Sequence, residues 1–93
     1  MTPEEKDVRA VHAKELLENP LLKKSLMYIR EVILREWETT PSNDVEHREH
    51  LWRMYNNANS FENVLRGFIQ TGEIARKQLR DSETFKQRVK RVL

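Results

Sequence analysis

Residues 20–44 read PLLKKSLMYIREVILREWETTPSND, and how this stretch divides decides the fold. Leu22, Leu26, Ile29, Ile33 and Trp37 recur at intervals of four, three, four and four, the period of a helix with one apolar face. Pro20 suits a first helical position, and Asn19 before it can cap the exposed N–H groups. The run Thr39-Thr40-Pro41-Ser42-Asn43-Asp44 then breaks the pattern and is the clearest loop in the chain. A second helix opens behind it, capped by Asn43 with Glu46 three residues on, or by Asp44. Two long helices joined by so short a loop predict an antiparallel hairpin.

The first of these helices carries more apolar surface than one neighbour can cover. Leu21, Met27, Tyr28, Val32 and Leu34 lie on its flanks. A helix that is apolar on two sides needs two neighbours, from its own chain or from another copy.

Upstream, Thr2-Pro3-Glu4-Glu5 is a capping-box start, and the helix it opens should reach about Glu18 with Val8, Val11, Leu16 and Leu17 as its apolar members. Downstream, Leu51, Met54, Tyr55, Ala58, Phe61, Leu65, Phe68 and Ile69 form the stripe of a helix over about 44–71. Gly72 fits the left-handed residue that follows a helix end. Residues 73–93 then form one helix or two, with a break near Asp81-Ser82 and a weak stripe of Phe85, Val89 and Val92.

The expected fold class is therefore all-α. An antiparallel helical hairpin (about 20–38 and 44–71) is joined by a short N-terminal helix and a basic C-terminal helix in a three- to four-helix bundle. Residues 1–93 should make a single helical domain, with 73–93 as a basic C-terminal extension.

Composition agrees. Hydrophobic residues are 38% and charged residues 34%, as in helical proteins with thin cores, and two glycines with three prolines are too few for a turn-rich β fold. No cysteine is present, which excludes disulfides, thiol nucleophiles and Cys-based zinc sites. No apolar run approaches the ~20 residues that span a bilayer, and MTPEEKD lacks a signal-peptide pattern, so a cytoplasmic protein is expected. The charge is uneven: residues 1–72 hold ten Lys/Arg against twelve Asp/Glu, and residues 73–93 hold seven against three.

The stretch EHREHLW, residues 46–52, looks like a metal site because His47 and His50 sit three apart among carboxylates. Helical angles place His47 near the centre of the Leu51 stripe and His50 at its edge, and the remaining histidine, His12, lies on another helix. A first-turn, core-edge pair is the better reading. No metal, cofactor or catalytic residue is expected, since no Gly-rich phosphate loop or acid–base–nucleophile set is present.

Trp52 is the more informative residue. It falls away from the stripe, beside Asn56, Asn59, Asn63 and Arg66, and should cover the N-terminal helix or join a subunit or partner contact together with Leu21, Met27, Tyr28 and Leu34. The amide run itself is either a solvated face or a polar ligand face. Arg76, Lys77, Arg80, Lys86, Arg88, Lys90 and Arg91 are the candidate phosphate contacts, of a kind that binds polyanions weakly and without sequence preference.

The segments AKELLENPLLKKSL, REHLW and TGEIARKQL are similar to those of small helical proteins of tailed phages and prophages. That resemblance covers residues 10–80 and leaves the basic tail outside. It implies a phage setting, in host cytoplasm or virion, and carries no activity and no catalytic residue. The leading expectation is a non-enzymatic homo-oligomer acting through contacts with phage or host proteins. The alternatives are an oligomer that sequesters nucleotide signals during counter-defence, and nonspecific nucleic-acid binding through the C-terminus.

Overall fold

The computed structural model describes residues 1–92, and among these it holds three α-helices and no strand: α1 (Pro3–Glu18), α2 (Pro20–Thr39) and α3 (Val45–Val92). Each start has the chemistry expected of it. The Glu5 N–H donates to Thr2 Oγ1 at 3.2 Å while the Glu5 carboxylate accepts from the Thr2 N–H and hydroxyl, closing the capping box. Asn19 Oδ1 accepts from the N–H groups of Leu21 and Leu22 at 2.9 and 3.2 Å. Asp44 rather than Asn43 caps α3, accepting from the His47 N–H at 3.3 Å.

α3 differs from expectation. It does not end at Thr71 and does not break at Asp81-Ser82; the basic segment is its continuation, so no separate C-terminal helix exists among the described residues. No glycine has positive φ, so Gly72 is an interior helical residue and not a stop. Interior glycine costs about 1 kcal/mol against alanine, but Glu73, Ala75, Arg76, Lys77, Gln78, Leu79 and Arg80 are all good helix formers and carry the helix on.

The chain divides into two compact units. One comprises Met1–Glu15 with residues from Leu65 onward, and its core is a seam of small residues. Ala10 and Ala13 on α1 and Gly72 and Ala75 on α3 are buried, beside Leu65. A Cβ placed on Gly72 would overlap Ala10 Cβ and lie 3.0 Å from the Lys6 carbonyl oxygen. Glycine is there because α1 passes too close for any side chain. The close approach also decides which face of α1 turns inward: Val8 and Val11, apolar members of this helix, are exposed. Asp7 and Arg76 form an ion pair at 2.9 Å, and the Arg9 guanidinium lies 4.0 Å from the centroid of the Phe68 ring.

The other unit, Leu16–Val64, is built on Leu26, Ile33 and Leu51, all buried. Three polar links join α2 to α3 within it. Arg30 donates through Nε to Asn59 Oδ1 at 2.9 Å and through Nη2 to Glu62 at 3.0 Å. His47 Nε2 meets Glu36 Oε1 at 2.9 Å. The Arg48 guanidinium stacks 3.9 Å from the Trp37 ring centroid and donates to the Thr40 carbonyl at 3.1 Å. A cation against the last carbonyls of α2 is favourable for the helix dipole as well as for the loop.

Candidate interaction surface

Taking Leu26 as the reference and ~100° per residue, Leu22, Ile33 and Trp37 fall within about 40° of it and face α3. Met27 and Leu34 lie about 80–100° to one side, and Leu21, Tyr28 and Val32 lie on the far side of the helix. All five of these flanking residues are exposed, Leu21 at 73% and Tyr28 at 65%. The excess apolar surface of α2 is therefore real, and it is split between two faces.

On the Met27–Leu34 side the apolar surface forms a groove. Two adjoining depressions share Leu34 and Tyr55. The first is lined by Leu17, Leu22, Leu26 and Met27 with Lys23, Arg30, Glu31 and Glu62 at its edges. The second is lined by Ile33, Trp37, Leu51 and Trp52 and is almost wholly apolar. Trp52 does not point away from α2, as its position in the sequence suggests; it forms one wall of this groove and is 62% exposed. At about 100° from Leu51 on the α3 wheel, its indole is wide enough to reach the α2 edge. Met27, Leu34 and Trp52 are brought together, while Leu21 and Tyr28 stand apart from them.

Of the amide residues, Asn59 alone has a cross-helix role among the described residues, and it faces α2. Asn59 is half-buried and accepts from Arg30, Asn56 is half-buried, and Asn63 is exposed. Arg66 belongs to the other unit and already has a partner. Replacing Arg30 with alanine should cost about 2 kcal/mol, the scale of a charge-assisted hydrogen bond lost from a half-buried partner. Urea denaturation checks this; a loss under ~0.5 kcal/mol would assign the link to the weak solvated class.

The cations of the C-terminal segment divide into groups, with Lys77, Arg80, Arg88 and Arg91 within about 80° of one another on the α3 wheel. Arg76 is committed to Asp7. Lys86 and Lys90 share a shallow depression with Glu4 and Glu83, while Lys77, Arg80, Arg88 and Arg91 are exposed elsewhere on α3.

His47 and His50 have ring centroids 6.3 Å apart, His47 being tied to Glu36 and His50 exposed. No group of three His, Cys, Asp or Glu side chains able to hold a metal occurs among the described residues. Nor is any helix there long and apolar enough to cross a membrane. Sequence reasoning missed Arg48 and Glu36, which hold the loop, because cross-helix partners 8–11 residues apart leave no periodic signal. No family model, curated protein or solved structure matches the chain.

Proposed function

We propose that this chain is a non-enzymatic protein-contact module that self-associates, and that the α2–α3 groove is its contact surface. α2 and the first part of α3 act as an antiparallel helical hairpin, the links from Arg30 to Asn59 and from Glu36 to His47 converging toward the loop. The observation that carries the reading is the groove itself: Met27, Leu34 and Trp52 are exposed along it, and its lining is nearly all apolar at the Trp52 end and mixed with Lys23, Arg30, Glu31 and Glu62 at the Met27 end. Apolar walls with a central tryptophan are what protein contacts use, whereas a small polar ligand needs convergent hydrogen-bonding groups. The sequence resemblance supplies the setting of this proposal, a phage virion component or host-interaction factor.

The energetics suit reversible association. Covering three such side chains contributes roughly 1.5–3 kcal/mol each, against several kcal/mol or more for lost translational and rotational freedom. These three side chains alone fall short of the ~8 kcal/mol net of a micromolar complex, so the apolar residues of the other partner and the charged rims must contribute as well. Leu34→Glu should remove self-association at micromolar concentration, while Tyr28→Glu, on the far face, should leave it intact. Sedimentation velocity on both variants tests the assignment; the reverse pattern would move the contact to the Leu21–Tyr28 face.

A further inference from the structure

We infer that the occupant of the groove is the C-terminal end of α3 from a second copy of this chain, which rests on the self-association proposed above and adds its geometry. Every residue from 80 to 91 is helical and exposed. Phe85 is 67% exposed and Val89 is partly so, one turn apart on a single face. Lys86 and Arg88 lie about 100° to either side of that face. This is a basic amphipathic helix of the kind that lays adjacent-turn anchors into an apolar groove.

Charge favours the same pairing. Residues 80–91 hold five Lys/Arg against two Asp/Glu, while residues 16–64, the groove unit, hold six against eight. Around Leu34 and Trp52 three acidic residues flank the groove, each close to an arginine or lysine of its own unit. Glu31 and Glu38 lie one turn to either side of Leu34, and Glu49 lies one turn before Trp52; all three are exposed. Glu31 and Glu49 form exposed ion pairs to Arg35 and Arg53 on their own helices, at 3.9 and 3.3 Å, contacts weak enough to be exchanged. Phe85 and Val89 meet Leu34 and Trp52, and Lys86 and Arg88 meet this carboxylate rim.

Such a contact is head-to-tail. It leaves one groove and one tail unfilled at the ends of any open assembly, so it grows beyond two copies or closes into a ring. That property gives a test. A tail variant, Phe85→Glu with Val89→Glu, and a groove variant, Leu34→Glu with Trp52→Glu, are prepared as full chains, with circular dichroism to confirm helicity. Each alone should sediment as a monomer. Mixed in equal amounts they should form a dimer that grows no further, because one intact groove meets one intact tail.

Three outcomes count against the idea. A tail variant that assembles like the unaltered chain removes the tail as occupant and leaves self-association standing. A mixture that stays monomeric when both variants alone are monomeric shows that an intact groove does not take up an intact tail, and overturns the pairing. An unaltered chain that is itself monomeric overturns the underlying reading too. Arg88→Glu, a surface change with no effect expected on folding, should weaken association several-fold, and unchanged association overturns the charge pairing.

Discussion

Leu51→Ala is expected to cost about 3 kcal/mol of stability, the largest loss from any single truncation in this chain. Leu51 is 1% exposed and is the one large side chain essentially removed from solvent among the described residues. Truncating such a leucine loses the transfer free energy of its atoms and leaves a cavity, together about 2.7–5 kcal/mol in well-packed cores. The groove beside it allows some collapse, since Leu51 also borders the depression lined by Ile33, Trp37 and Trp52. That places the expected cost near the lower end of the range. Domains of this size have only about 5–14 kcal/mol in total, so the midpoint of urea unfolding should fall by a large fraction. A loss under ~1 kcal/mol would mean that Leu51 is not central to that core.

Gly72→Ala is expected to destabilise by about 2 kcal/mol, and Gly67→Ala to stabilise by about 0.5–1 kcal/mol. Both glycines lie inside α3, and both should gain from alanine's better helix propensity. They differ in what a methyl group meets. Nothing lies within 4 Å of a Cβ at Gly67, whereas at Gly72 it would overlap Ala10 Cβ, with the Lys6 carbonyl at 3.0 Å. A neighbouring alanine has no rotamer to yield, so the helices themselves must separate, an overpacking cost of about 1–3 kcal/mol or more. At Gly72 that cost exceeds the propensity gain. Thermal unfolding of the two variants should therefore shift in opposite directions; a parallel shift would contradict the close seam of Ala10 and Gly72.

The same glycine marks where sequence reading ends. Asn19-Pro20, the Thr2 capping box and the loop at 39–44 are local features, and their helices begin where such chemistry places them. Gly72 is locally ambiguous. A glycine after an apolar stripe suits a left-handed helix stop, and it equally suits a place where another helix comes near; only the tertiary approach of α1 selects the second. The same approach turns Ala10 and Ala13 inward and leaves Val8 and Val11, the larger apolar members of α1, exposed. The candidate surface was half legible. The apolar excess of α2 was visible in its flanking residues, but only the packed helices set Met27 and Leu34 beside Trp52 and leave Leu21 and Tyr28 on a different face. Asn59 shows the opposite case, a residue whose exposed, ligand-facing position on paper is filled by Arg30 from across the contact.

The most direct measurement is the solution mass of the unaltered chain by light scattering across a concentration series through the micromolar range. Self-association through the groove predicts a mass above that of one chain, rising with concentration and falling back to one chain in Leu34→Glu. A mass of one chain at every concentration would contradict it.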